Sequence, residues 1–452
     1  ALLYAFQYFF TRLRLEETCC REKGKNDTFF SAMKVRCHFS VLILGMIVFQ
    51  VLGISRCWSE SSLKSYHFDE KGISHEVLEN YLERSITMAC FLSPHLPEGN
   101  NHANPYHEDD KRMVKELGAK FIGRAIYRWG GEDQLGTAEF WSNARKIIQE
   151  FHAFDSDIVF QACLFEVVTR QVEKVAVPEW VFEGYDLPAE KRNFSYEKML
   201  NEKGVFVDHW SRDNSVPDIT RQESQLWFYF LAGTYMEMGC EAFHLGQVEL
   251  IGMNDPERKA WAGMIGKIRE LGKRKARRHW VILDAHVPHG GMLLKGKSLI
   301  DFNSFPLRIK DIPEKQMGGK LEVNYLDSIY KKSLGCKTPT GWGCEHLPYL
   351  VEFDNFGRSK SPGVASVGSH FVWGWDEISW FSLLPEEERN RWLEYAHDWL
   401  KKTDTDGYLQ MPGNRIITCP NETEGRYRAN RKSEQCPIGY SQEATIKKLW
   451  NP

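Results

Sequence analysis

The sequence is short of basic charge. Its 58 Lys and Arg are outnumbered by 61 Asp and Glu, giving a formal charge of -3 and a pI near 6.6. Neutralising phosphates is the sequence-independent part of nucleic-acid affinity, so no nucleic-acid partner is expected. The chain also lacks a zinc-ligand spacing among its 11 cysteines and 15 histidines. It has no Gly-rich phosphate loop, since His289-Gly290-Gly291 is a lone glycine pair better suited to a turn. Internal repeats and low-complexity tracts are missing as well. No metal and no cofactor is expected.

A run of membrane length is missing from the start of the chain. Residues 39–52 are apolar and are followed by the small residues Gly53 and Ser55, but a bilayer span needs roughly 20 apolar residues. With Met33-Lys34-Val35-Arg36 ahead of it, the run has the layout of a secretory signal peptide, so the mature chain is expected to be secreted, periplasmic or on the cell surface. Cys57 is a candidate for lipid modification, the one route to membrane attachment the sequence offers. Residues 1–57 are expected to be an upstream stretch plus signal, and 58–84 a helical lead-in. In an oxidising compartment, Cys336 with Cys344 and Cys419 with Cys436 are placed to close loop disulfides, whereas Cys90, Cys163 and Cys240 read as small buried hydrophobes.

Aromatic residues, in contrast, are plentiful: 15 Trp, 17 Tyr and 27 Phe. From residue 86 onward, short runs rich in β-branched and aromatic side chains alternate with amphipathic helical stretches, the pattern of βα units and a parallel sheet. Eight such runs are expected as strands: 86–92, 121–127, 158–165, 242–250, 280–284, 299–302, 349–353 and 371–375. Helices are expected at 109–117, 137–151, 222–238, 256–271 and 385–400. The last opens with a proline and three acids, favourable at the positive end of a helix. The fold class that follows is α/β, an eight-stranded (β/α) TIM barrel over 85–402. Long insertions follow strands 3 and 6, and a polar C-terminal extension, 403–452, packs back on the barrel.

Active sites of such barrels lie at the C-terminal strand ends, so polar residues there form the candidate set. Residues two apart on a strand share a face, which groups Gln247 with Glu249, Asp284 with His286, and Glu352 with Asp354. Acids recurring beside polar partners are hard to attribute to core packing, because unpaired buried carboxylates are costly. Glu166 ends the third run. Trp129, Trp373 and Trp375 lie at strand ends, where an indole can stack on a sugar ring. His95, Arg128, His286 and Asn355 could hydrogen-bond sugar hydroxyls.

With these residues the chain resembles, over residues 85–402, the retaining (β/α)-barrel glycoside hydrolases. That resemblance implies hydrolysis of O-glycosidic bonds of a carbohydrate by two carboxylates, with Glu249 at the end of strand 4 as acid/base and Glu352 at the end of strand 7 as nucleophile. The group carries Asn immediately before the strand-4 Glu, where Val248 stands here. That departure favours a rival reading, a non-catalytic carbohydrate-binding barrel. A third reading is a metal-dependent hydrolase using the histidines with Asp284 or Asp301, although no His-x-His pair stands at the first strand end.

Overall fold

The structure, a computed structural model, describes residues 64–95, 103–420 and 425–451. The expected signal peptide and Cys57 lie outside the described residues. Six of the eight expected runs coincide with parallel strands, while the run expected at 299–302 gives way to a strand at Phe302–Pro306 that shares only Phe302 with it, because 299–301 are bends; all seven strands are parallel. They are β1 (Ser85–Met88), β2 (Phe121–Ile126), β3 (Val159–Cys163), β4 (Ala242–Gln247), β5 (Ile282–His286), β6 (Phe302–Pro306) and β7 (Tyr349–Glu352), each hydrogen-bonded to the next.

The eighth strand is not 371–375. That stretch is a tight turn in which Trp373 and Gly374 adopt φ of 50° and 77°, so it cannot extend a ladder. Instead Gly407–Leu409 pairs in parallel with β7, and Met411–Ile416 pairs in parallel with β1. Only Gln410 separates the two segments, so together they form β8 and close the ring. The wall therefore runs past residue 402. The rest of the tail adds Arg426–Arg428, antiparallel to β8.

The helices form where the sequence places apolar faces between caps. Helix α1 is His75–Leu82, capped by the Ser74 side chain. Helix α2 (His107–Leu117) carries three acids in its first turn and stops at Gly118 with φ 68°. Ala138–Phe154 (α3), Gln222–Met238 (α4) and Lys259–Lys275 (α5) follow β2, β3 and β4; Glu377–Leu383 (α6) and Glu386–Thr403 (α7) follow β7; Glu443–Trp450 (α8) comes last. Among the described residues, no helix joins β5 to β6 or β6 to β7. A two-stranded ladder, Lys310–Ile312 with Gly318–Lys320, and a small four-stranded sheet that includes Cys336–Lys337 paired with Gly343–Cys344 occupy these connections. Long segments, 164–221 and 307–348, follow β3 and β6.

The barrel is plugged from below. One residue from each of β2 to β7 (Phe121, Val159, Ala242, Ile282, Phe302 and Leu350) packs with Ile73, Val77, Leu78, Tyr81 and Leu82 around α1. Fully burying a side chain of this size is worth about 1.5–3 kcal/mol, so the lead-in helix is an integral part of the core. Cys163, Cys240, Cys336, Cys344, Cys419 and Cys436 are free thiols. Cys336 and Cys344 face each other across their ladder with Sγ atoms 3.8 Å apart. Cys419 packs on the Ser382 hydroxyl at 3.1 Å and is not joined to Cys436.

Candidate active site

Above the apolar plug, the inward-facing positions turn polar. Gln161 of β3, His244 of β4, Asp284 of β5 and Glu352 of β7 are all at most 5% exposed. The Gln161 amide donates to Asp284 Oδ1 at 2.7 Å, and His244 Nδ1 lies 2.7 Å from Asp284 Oδ2. Arg124 sits at a bulge in β2 with φ 54°, where its backbone N–H donates to Gln161 Oε1 at 2.9 Å. Its Nε donates to both Glu352 oxygens, at 2.8 and 2.9 Å. Burial would raise the Glu352 pKa, but the guanidiniums of Arg124 and Arg415 outweigh it and hold the carboxyl below its ordinary value.

A cavity of about 410 Å³ opens over this layer at the C-terminal strand ends. Tyr127 and Trp129 after β2, Phe165 after β3 and Trp210 from the β3 insertion form one wall. Their rings meet edge to face, with centroids 5.0 Å apart for Tyr127 and Phe165, 5.3 Å for Trp129 and Phe165, and 5.1 Å for Trp129 and Trp210. The polar lining comes from Arg124, Glu166, His244, Gln247, His286, Asp354, Asn355 and Arg415.

Two carboxylates line the cavity, from opposite sides of the ring. Glu166 follows β3 and Asp354 follows β7, and four steps separate these strands in either direction around eight. Glu166 accepts from the Gln247 backbone N–H at 3.0 Å and from its side-chain amide at 2.9 Å. Gly246 makes room for it: a Cβ there would lie 2.1 Å from Glu166 Oε2, and φ is +72°. Asp354 accepts from Arg415 at 2.6 Å and from the Asn355 backbone N–H at 2.8 Å. Burial acts to raise its pKa, and Arg415 and Arg124 more than reverse this, leaving the carboxyl well below the usual carboxylate range. His286 goes the other way. Burial first and Arg308 second push its pKa down to about 3, so the ring is neutral at ordinary pH.

Of the residues expected at the site, Trp129, Glu166, Gln247, His286, Asp354 and Asn355 line the cavity. The expected pair does not meet across it. Glu249 is exposed on the turn Val248–Ile251, where its carboxylate contacts His289 at 2.7 Å, and Glu352 lies one layer below, locked to Arg124. Asp284 lies at the same depth as Glu352, against His244. Arg128 turns away, over the Phe140 ring and onto the Tyr127 carbonyl. His95 is exposed and outside the lining. Trp373 and Trp375 are core residues, with the Trp373 indole N–H donating to the Gly318 carbonyl at 2.7 Å.

The sequence reading passed over Arg124, Tyr127, Phe165, Trp210, His244, Phe356 and Arg415. His244 was hidden by the strand phase. A register irregularity between His244 and Gln247 breaks the period-two phase, so extending the inward face from Gln247 and Glu249 skips His244. Among the described residues, no cluster of three or more His, Cys, Asp or Glu is arranged to hold a metal ion.

No family model matches the chain, and no curated protein matches it in sequence. Solved structures do. A debranching enzyme of Nostoc punctiforme is 10% identical with a TM-score of 0.43, the match covering 82% of this chain and 79% of that one. A GH27 β-L-arabinopyranosidase of Geobacillus stearothermophilus is 11% identical, TM-score 0.38, covering 82% and 78%. An isomalto-dextranase of Arthrobacter globiformis is 10% identical, TM-score 0.31, covering 51% of this chain and 40% of that one.

Proposed function

We propose that the chain is a glycoside hydrolase that cleaves an O-glycosidic bond between Asp354 and Glu166. The observation that carries the reading is the opposition of these two carboxylates across one cavity, beside an aromatic wall on which a sugar face can stack. Asp354, kept ionised by Arg415 and Arg124, is the group suited to face the anomeric carbon. Glu166 is the proton donor to the departing oxygen and then, by microscopic reversibility, the base that takes a proton from the incoming water. In a retaining course Asp354 bonds to the anomeric carbon as the leaving oxygen takes the Glu166 proton, and water then displaces Asp354. The neutral His286 and Asn355 offer hydrogen bonds to ring hydroxyls. The apolar run at 39–52 supports an enzyme that works outside the cytoplasm.

The test is hydrolysis of a panel of aryl glycosides by wild type, Asp354→Asn and Glu166→Gln. Asp354→Asn should lose nearly all activity. Glu166→Gln should lose about 10²–10⁴-fold on poor leaving groups and much less on activated ones. NMR of the first-formed anomer separates retention from inversion. One observation favours a non-catalytic carbohydrate-binding barrel: both carboxylates already have protein partners, Arg415 and Gln247. Binding of sugars without turnover by wild type would establish it.

A further inference from the structure

The proposed mechanism leaves His244 and Asp284 without a task, although both are buried in the chain's most polar layer. His244 belongs to the cavity lining, and its Nδ1 lies 2.7 Å from Asp284 Oδ2. The other Asp284 oxygen accepts from Gln161 at 2.7 Å, and Gln161 in turn accepts the backbone N–H of Arg124. The carboxylate is therefore fixed on both sides. Ser304 Oγ stands 3.4 Å from the same Nδ1. A carboxylate can only accept, so Nδ1 carries a proton, and a ring with a single proton keeps its lone pair on Nε2.

We infer that Asp284 is a positioning residue which holds His244 in the Nδ1–H tautomer, making Nε2 an acceptor for one free hydroxyl of the bound sugar. This rests on the carbohydrate reading of the cavity. The inference selects a substrate class: a sugar unit whose hydroxyl at the cavity floor is neither removed nor capped by methyl or acetyl. A deoxy sugar leaves Nε2 unpaired, and a capped one has no proton to donate.

The tautomer can be read without any activity, by ¹⁵N NMR of the full chain with labelled histidine, the His244 signal being assigned by its loss in His244→Asn. In wild type, Nε2 should be the unprotonated nitrogen. Asp284→Asn offers an amide whose oxygen accepts or whose N–H donates, so the proton should redistribute toward Nε2, while Ser304→Ala should leave it in place. A wild-type Nε2–H, or a tautomer indifferent to Asp284→Asn in a variant that melts cooperatively, overturns the inference. If Asp284→Asn does not fold, the wild-type spectrum alone decides the tautomer.

The hydroxyl is tested with a deoxy series of whichever glycoside wild type cleaves. One deoxy position should raise KM about tenfold or more in wild type and lose that penalty in His244→Asn. Equal penalties in both proteins refute the contact. Should wild type cleave nothing, the glycosidase reading fails separately. The same labelled protein is then titrated with glucose, galactose, mannose, xylose and arabinose, and a shift of His244 Nε2 by any of them sustains the contact. Indifference to all five overturns it.

Discussion

Replacing Glu352 with Gln tests whether the polar layer is structural. The Glu352 carboxylate is 5% exposed and takes both Nε hydrogen bonds of Arg124, with Arg415 at 3.7 Å. Removing one member of a buried pair costs about 3–5 kcal/mol, because the other charge is left uncompensated. Asp354 also faces Arg124, which puts Glu352→Gln near the lower end, ~3 kcal/mol. Arg124→Met should cost a similar amount, and Arg124→Met with Glu352→Gln should recover much of the loss, since no charge of the pair then remains uncompensated. Urea unfolding of the four proteins completes the cycle. The folded Glu352 pKa is depressed below 4.5, so its stabilisation is complete above that pH and disappears as pH falls through the folded value. The gap between wild type and Glu352→Gln should accordingly close in acid. A Glu352→Gln protein as stable as wild type yet inactive would refute this account and restore Glu352 as a nucleophile.

Other expectations follow from single contacts. Gly246→Ala forces a methyl against the Glu166 carboxylate and strains a left-handed backbone; it should keep the fold by circular dichroism and lower kcat at least tenfold, ~1.4 kcal/mol, and an unchanged kcat would remove Glu166 from the chemistry. Trp129→Ala takes an indole from the wall, so inhibition constants for a bound sugar should rise by about tenfold with little change in Tm; an unaltered constant would place the sugar elsewhere. Glu377 is buried beside Arg308 at 3.2 Å, and burial pushes its pKa up from 4.5 to about 8. Its folded pKa exceeds its unfolded one, so stability is full below about 4.5 and declines as pH climbs toward about 8, a slope that Glu377→Gln should flatten in urea melts at pH 5 and pH 8.5. Cys336 and Cys344, facing each other across their ladder, should link under oxidising conditions, and non-reduced peptide mapping that finds both thiols alkylated would contradict this.

Six strands were legible because each is a short run rich in apolar residues; the sixth along the chain, Phe302-Asn303-Ser304-Phe305-Pro306, has no flanking helix among the described residues to mark it and was expected three residues too early. The eighth was not legible. Gly407, Gln410, Pro412, Gly413, Asn414 and Arg415 give β8 the composition of a loop, yet Gly413 is demanded by close packing, since a Cβ there would lie 2.4 Å from Met88 Sδ. The aromatics of 371–375 imitated a strand because they are buried, but they are buried in a turn whose indoles fill the core. The site suffered in proportion. Asp354 and Glu166 were visible as strand-end acids, whereas Arg415 depended on recognising β8 and His244 on a register irregularity that no alternation of residue types reveals.

Because β8 comes from residues 407–416, the ring stays open until residue 416 has been synthesised. A chain lacking those residues has two unpaired sheet edges, on β1 and β7, each offering a row of free backbone donors and acceptors to a neighbouring chain. It also lacks Arg415, the cation that accompanies Asp354. Truncation at the boundary the sequence suggests, residue 402, would therefore yield no closed barrel, only an adhesive open sheet. For the ribosome-bound chain the same geometry leaves both edges exposed until residues 407–416 have emerged.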